Sequence, residues 1–440
     1  MQNVSDNQLL NHRSSPIHDK MLLKKFLHNV FLYISSSILI KAVPFMMLPI
    51  LTRYLSPSDY GIIVIFQIFL GYLAVFVGIN SNGALLANYF RLEKSELKLY
   101  IGNILIILII NVILTLIICC FLRAYLSNVL NLSPFWITFV IFVAFGKTLL
   151  SITLVIWQAE KKPINYGFFN LLTVLTELTI SLYLIISIGL KWEGRLLGIT
   201  ISTFITSLLC IFIIFKKYHV SIKFKKKYAK DILIFGLPLL PHALSGIIIT
   251  SIDKLFINSI IDTGATGVYA VGCQIGMVIS VLASSFNTAW TPFLFEKLNN
   301  GSFVTKLNIV KYTYLYCIFI IIFSCVWGLV SPYILYYFVG DRFYGASKYV
   351  TWIALGYAFE AIYLVVGNYI FYSKKTYILS FITLMCGIIN ILLNYFLIKF
   401  NGAIGAAQSL CITYFIFCVL TWLSSAKVYK MPWLLRPQSA

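Results

Sequence analysis

The chain has 440 residues, of which 60% are hydrophobic and only 11% charged. A soluble domain carries about 25% charged residues, so the composition excludes a water-soluble enzyme and points to an integral membrane protein. The net charge of +20 would suggest nucleic acid on a soluble protein, but in a membrane protein loop lysines and arginines first set topology.

The first residues, MQNVSDNQLLNHRSSPIHDK, are polar and hold no apolar core of a leader. Residues 1–22 are therefore expected to form a disordered tail. A helix needs about 20 apolar residues to cross the hydrocarbon. Runs of that kind fall near 26–52, 60–86, 100–122, 135–158, 164–190 and 196–215, and then near 231–257, 267–292, 311–339, 349–372, 376–398 and 402–424. The runs are continuous, not alternating, which excludes a barrel. The expected fold is an all-α polytopic membrane protein of about 12 transmembrane helices. No catalytic, phosphate-binding or metal-ligand motif occurs, and the nine cysteines lie mostly within apolar runs. No cofactor and no metal is called for.

Charge sets the expected orientation. The N-terminal tail and every second loop hold 24 of the 34 Lys and Arg, the opposite loops hold seven, and Lys41, Lys147 and Lys254 lie within spans. That asymmetry places both termini in the cytoplasm and leaves nothing of the charge that requires nucleic acid. KKYHVSIKFKKKYAK, residues 216–230, reads as a basic cytoplasmic linker. It separates an N-terminal six-helix bundle, 23–215, from a C-terminal one, 231–425, followed by a tail at 426–440. The halves repeat. Lys24–Gly61 overlays Lys230–Gly267 without a gap at an offset of 206, and Lys161-Lys162 overlays Lys374-Lys375 at 213. Six spans per half is an even number, so both halves enter from one side. The repeat is parallel, about a pseudo-two-fold axis along the membrane normal, as in two-bundle transporters.

Charges inside spans cost about 3 kcal/mol each on insertion scales and tend to face a cavity. Lys41 falls mid-span, between apolar stretches and just before Pro44 and Pro49. Either it lines a central cavity and meets an anionic headgroup, or it pairs with Glu177 or Glu360 and locks helices. Lys147 and Glu360 lie 213 apart and can face each other across the axis, as a gating pair or a static bridge. Asp253 and Lys254 are adjacent and expected on different sides of one helix, near its outer end. Arg53 ends the first span. Glu177, Asp253 and Glu360 are the acids able to bind a coupling ion or gate the pathway. Asn80 and Asn82 in GINSNG, Asn287 in SSFNTAW, and Asn390 with Asn394 can bond sugar hydroxyls or hold helices together.

LPILTRYLSPSDYGIIVIFQ (48–67), FGLPLLPHALSGIIITSIDKLFIN (235–258), TGVYAVGCQIGMVISVLASSFNTAWTPFLFE (266–296) and NGAIGAAQSL (401–410) together resemble Wzx-type O-antigen flippases. Those belong to the multidrug/oligosaccharidyl-lipid/polysaccharide exporter superfamily. The resemblance spans essentially the whole chain. It implies an oligosaccharide repeat unit on undecaprenyl pyrophosphate, moved from the inner to the outer leaflet of a bacterial inner membrane. It also implies a V-shaped pair of bundles around a cationic cavity, where Lys41, Arg53, Lys147 and Lys254 are the candidates by position to engage the pyrophosphate. Partners expected on this reading are the lipid-linked oligosaccharide, membrane lipid, H⁺ or Na⁺, and polysaccharide polymerase and chain-length proteins. A drug/cation antiporter of the same superfamily is the alternative, and a membrane polysaccharide polymerase a more distant one, since no sizeable extracytoplasmic loop is present.

Overall fold

A computed structural model describes residue 43 and residues 45–299, 302–373 and 375–434. Lys41 and Pro44 lie outside the described residues. Within them the protein is helical, and eleven segments are long and apolar enough to cross a membrane. The expected first span is described only at its end, as helical residues 45–54, α1.

The first half continues with α2 (Pro57–Gly78), α3 (Ser81–Tyr89), α4 (Lys94–Phe121), α5 (Arg123–Leu130), α6 (Pro134–Ala159), α7 (Pro163–Leu182) and α8 (Lys191–Tyr218). A short α9 (Lys226–Gly236) and one 3₁₀ turn (Leu237–Leu239) lead to the second half. That half comprises α10 (Leu240–Ile260), α11 (Thr263–Gly276), α12 (Val278–Asn299), α13 (Phe303–Phe338), α14 (Ser347–Tyr372), α15 (Tyr377–Asn401) and α16 (Ala403–Val428). Helices pack within each half, α2 on α6 and α6 on α8 in the first, α14 and α15 on α16 in the second. The result is two lobes, as the repeat requires. Large apolar side chains such as Ile113, Ile117, Leu315, Ile322 and Leu329 stand more than half exposed on the outside, which is the surface a bilayer covers.

Equivalent residues of the two repeats begin α2 and α11. Ser56 caps α2: its hydroxyl accepts the Asp59 amide at 3.1 Å, and the Asp59 carboxylate accepts the Ser56 amide at 2.9 Å. Asp262, 206 residues on, caps α11 by accepting the Ala265 amide at 2.7 Å. Such reciprocal or single caps satisfy amides that a helix start leaves unpaired. One turn into each helix is a glycine, Gly61 and Gly267. A Cβ on Gly61 would overlap the Thr263 carbonyl oxygen, and a Cβ on Gly267 would overlap the Pro57 carbonyl oxygen. Only glycine permits this approach. The two contacts are images of each other, since 263 and 57 also differ by 206. The lobes thus meet about their two-fold axis at what is here called the glycine end.

A hydrophobic cluster that draws on both lobes seals that end. Leu48, Leu51 and Leu55 join Val271, Ile275, Leu335, Val339 and Val350. Tyr60 packs edge-on to Phe343 at 5.8 Å, and Phe45 lies 5.0 Å from Phe338. The Gly340 amide donates to the Thr52 hydroxyl at 3.1 Å.

The connector sits at the other, basic end, and it is not a loose tether. Asn103 of α4 donates to the Lys223 carbonyl at 3.0 Å and accepts the Lys225 amide at 2.8 Å. Asp231 of α9 accepts from Tyr100 at 2.8 Å and from Asn88 at 2.9 Å, and Tyr228 donates to Glu96 at 3.1 Å. Burial, with the Glu96 carboxylate at its hydroxyl, holds Tyr228 above the ordinary tyrosine pKa. Residues 231–236 therefore lie on α3 and α4 of the first lobe, and the backbone passes to the second lobe at the Leu237–Pro241 kink. Two prolines, Pro238 and Pro241, break the continuous span expected over 231–257. The span expected over 60–86 is also broken, at Ile79 and Asn80, whose φ of 42° and 46° are left-handed and rare for a β-branched residue.

Candidate functional site

A cavity of about 560 Å³ lies between the lobes. Its walls follow helical spacing. Tyr60, Val64, Gln67 and Gly71 form one stripe of α2, and Ile247, Thr250, Ser251 and Lys254 one stripe of α10. Cys273 and Gln274 of α11, Ser280 of α12, Tyr357 and Glu360 of α14, and Tyr414 of α16 are further wall residues. Tyr60 donates across the lobe interface to the Gln274 side-chain oxygen at 2.8 Å. That bond bridges the cavity next to the sealed glycine end.

Lys254 brings the cation. Its Nζ donates to Asp253 Oδ1 at 3.0 Å and Oδ2 at 3.2 Å, and to the Thr250 carbonyl at 3.0 Å. Tyr269 donates to Asp253 Oδ2 at 2.8 Å, and the Lys254 ammonium lies 5.6 Å from the Tyr269 ring centre. Asp253 is 1% exposed. The expectation that these neighbours point to different sides of an interfacial helix is corrected here. The lysine stem is long enough to fold its head back onto the adjacent carboxylate, and both groups sit inside the protein.

Lys147 and Glu177 form a second cluster, within the first lobe. Lys147 Nζ donates to Glu177 Oε2 at 3.0 Å, and Arg195 donates to Glu177 Oε1 at 2.8 Å and to the Ser181 hydroxyl at 2.9 Å. Three helices, α6, α7 and α8, are tied by one carboxylate. Lys147 and Glu360 do not face each other across the axis. Lys147 turns into its own lobe, where Glu177 on α7 offers a nearer partner, and Glu360 faces the cavity from the other lobe. Neither member of the Lys147–Glu177 pair is a wall residue of the cavity. Sequence reasoning counted Arg195 as a loop cation, yet it is 7% exposed.

Arg53 is exposed at the end of α1, beside the 340–344 segment, and is not a cavity wall residue. Of the asparagines, Asn390 is 1% exposed and donates to Thr413 at 2.9 Å, and Asn394 is fully buried and donates to the Asn390 carbonyl at 2.9 Å. The first contact holds α15 to α16, the second stays within α15, and the burial of both side chains leaves no face for a sugar in this conformation. Asn82 donates to Ser151 at 3.2 Å, and Asn287 accepts from Asn368 at 2.8 Å, so these also join helices. Asn80 is half-buried at the break between α2 and α3. The sugar-contact expectation for the buried pair is corrected accordingly: an apolar interior makes an asparagine bond the nearest polar group. The wall residues missed from sequence, Tyr60, Tyr357 and Tyr414, carry no signal in a chain with 28 tyrosines. Gln67 and Gln274 do, as amides inside apolar runs.

Two helical lobes, with five and six candidate spans among the described residues, that meet at one end around a cavity define the fold of membrane transporters and flippases. Solved structures agree. The lipid II flippase MurJ in an inward closed conformation superposes with a TM-score of 0.73 at 16% identity, over 90% of this chain and 87% of that one. An inward-facing multidrug resistance MATE family transporter of the MOP superfamily gives 0.68 at 16%, over 93% and 99%. Among curated proteins of Haemophilus influenzae, an uncharacterized membrane protein is 29% identical over 80% of this chain and 86% of its own length. The Lsg locus putative protein 1 is 26% identical over 87% and 96%. The family described as polysaccharide biosynthesis protein matches residues 26–298, and the MatE family matches 238–396. The chain belongs to the polysaccharide biosynthesis protein family and is a multi-pass membrane protein of the flippase and exporter fold.

Proposed function

We propose that this chain moves an oligosaccharide repeat unit linked to undecaprenyl pyrophosphate from the cytoplasmic to the outer leaflet of a bacterial inner membrane. The observation that carries the reading is the cavity between the lobes, with Lys254 on its wall and a sealed glycine end beside it. The lysine asymmetry of the loops supports assigning the glycine end to the outside, so that this state receives substrate from the cytoplasmic side. A pyrophosphate diester carries about two negative charges. Moving it outward across an inside-negative membrane is downhill by about 2.3 kcal/mol per charge per 100 mV. The main obstacle is stripping water from phosphate and sugar, which a polar cavity lowers while the lipid tail stays in the bilayer. Rocking of the lobes then exposes the cavity to the other face. Lys254 is the headgroup residue on this reading, and Asp253 and Glu360 are the acids placed to bind H⁺ or Na⁺. Hand-over to a polysaccharide polymerase follows outside.

The test is leaflet-resolved accumulation of the lipid-linked oligosaccharide in cells with the native chain, with no chain, and with Lys254→Met at equal expression. Trapping in the inner leaflet in the last two supports the reading. Outward exposure without the chain, in cells lacking other flippases, defeats it. A cation antiporter is the second reading, favoured by Glu360 on the cavity wall and by the MatE match. Efflux of a cationic dye that depends on Glu360 would select it.

A further inference from the structure

The connector helix α9 turns one face outward, and the chemistry of that face changes along its length. Tyr228, Ala229, Ile232 and Gly236 are buried. Lys226, Lys227, Lys230, Ile234 and Leu237 lie on the opposite side and are exposed, as helical spacing requires. From its first residue the outward face therefore carries three cations and then only Ile234 and Leu237, 63% and 48% exposed. Two hollows flank it. One, of about 510 Å³, has an apolar surface between Phe224, Leu233, Leu237 and Pro238. The other, of about 310 Å³, lies between Asn88, Tyr100, Lys227 and Asp231. Lys230 and Ile234 are walls of both, so the hollows adjoin along one ridge. The cations on it are available. Asp231, the acid beside them, is taken by Tyr100 and Asn88. Lys227 comes only within 3.9 Å of Glu96, with its own side chain 80% exposed. Neither Lys226 nor Lys230 forms an ion pair among the described residues.

We propose that this face binds one anionic phospholipid, with its phosphate on Lys226 and Lys230 and an acyl chain along the apolar hollow past Leu233 to Leu237 and Pro238. Cations followed by an apolar groove match an amphiphile with a phosphate head and a hydrocarbon tail. A free anion leaves the groove empty, and a zwitterionic lipid brings a positive group to the lysines. Basic pockets at the membrane boundary are where lipid phosphates settle. From Lys226 to Leu237 is eleven residues, about 16 Å at 1.5 Å each, which is the depth of one leaflet of a hydrocarbon core about 30 Å thick. A lipid-linked diphosphate has a similar head and tail. A resident phospholipid is favoured because the walls of these hollows share no residue with the central cavity. The proposal is therefore independent of what that cavity carries. Leu237 and Pro238 belong to the joint between the halves, so the lipid packs against the joint from outside.

The experiment titrates the full-length protein, delipidated in a non-ionic detergent, with dioleoyl-phosphatidylglycerol and with dioleoyl-phosphatidylcholine, and counts retained lipid by native mass spectrometry. One phosphatidylglycerol is expected to bind at least about tenfold tighter than phosphatidylcholine. Lys226→Gln/Lys230→Gln is expected to weaken phosphatidylglycerol at least about fivefold and to leave phosphatidylcholine unchanged. Ile234→Asn changes no charge and alters an exposed position, yet is expected to weaken phosphatidylglycerol at least about threefold through the lost apolar wall. Lys306→Gln/Lys311→Gln removes the same charge from the start of α13 and is expected to leave the affinity within about twofold. Equal affinity for the two lipids overturns the proposal. So does an equal loss in the α13 variant, which would mean a diffuse basic field and no site. Full affinity in Ile234→Asn, or displacement of the lipid by inorganic phosphate alone, would reduce the site to a bare anion patch. A last arm uses N-acetylglucosamine on farnesyl diphosphate. Binding of this probe at least about tenfold tighter than phosphatidylglycerol, and lost in Lys226→Gln/Lys230→Gln, would make the site a port for lipid-linked sugar and overturn the resident phospholipid.

Discussion

The two lobes handle buried charge in opposite ways. In the first, Glu177 ties Lys147 of α6 and Arg195 of α8 to α7, so one carboxylate fastens three helices and leaves a net positive cluster away from the cavity walls. In the second, Asp253 and Lys254 satisfy each other from neighbouring positions on α10, and the Tyr269 hydroxyl and the Cys273 side chain reach them from α11. An ion pair that crosses between helices stabilises a packing. An ion pair closed within one helix can open without separating helices, and this one stands at a cavity wall. Position in the repeat does not explain the difference. At the offset of 213 that relates Lys147 to Glu360, Glu177 corresponds to Asn390, so the second lobe keeps an α15–α16 fastening at that place without charge.

The comparison breaks most visibly at Glu177. Glu177→Gln leaves two cations against a neutral amide in a mostly buried site, and breaking a buried pair costs about 3–5 kcal/mol. Thermal unfolding in detergent should show a loss of that order, and a loss below about 1 kcal/mol would mean that the cluster is solvated and fastens nothing. The double variant Asp253→Asn/Lys254→Met should behave in the opposite sense. Replacing both partners of a buried pair is often close to neutral for stability, so unfolding should shift by about 1 kcal/mol or less while transport of the lipid-linked oligosaccharide is lost. A double variant that unfolds like Glu177→Gln makes the two clusters equivalent and removes the distinction drawn here.

Gly61→Ala tests whether the lobes depend on the glycine end more than on either cluster. Its methyl group overlaps the Thr263 carbonyl, and overpacking of this kind costs about 1–3 kcal/mol, most simply relieved by separating α2 from α11. Cysteines introduced as Ser58→Cys and Gly264→Cys, at sites already in contact, report it. Adding Gly61→Ala should slow their oxidative cross-linking; an unchanged rate would show that the contact is not what closes that end. The smallest effect is expected at Asn390. Asn390→Ala removes a bond to Thr413, worth about 1 kcal/mol, and should leave transport intact. Selective loss of transport with full stability would return Asn390 to the substrate path.

Much of this architecture is legible in the sequence because membrane helices advertise themselves. Apolar length gives the spans, lysine counts give a sidedness, and the gapless overlay through Gly61 and Gly267 marks the place where the lobes touch. The intramembrane charges are visible too. Their partners are not. Which way Lys147 turns depends on the rotation of α6 about its axis, and apolar neighbours on all sides give no periodicity from which to read it. Asp253 and Lys254 are misjudged for a related reason: residue spacing fixes where Cα–Cβ bonds point, while a four-carbon stem lets the ammonium end elsewhere. Arg195 escapes notice because it stands near the start of α8, where a cation ordinarily reaches water. The wall tyrosines are lost among many tyrosines that merely pack.

The docked connector has a mechanical consequence. Because residues 223–236 are bound to α3 and α4, the covalent joint between the halves is reduced to the few residues of the Leu237–Pro241 kink. Gly236 packs so closely on the Ile79 carbonyl that this joint lies back to back with the break in the second span. The pin of the door and a flaw in its frame coincide at one end of α2, and the glycine latch lies at the other. A swing about that pin would move the latch farthest and the connector least, so the long basic segment would travel with the first lobe.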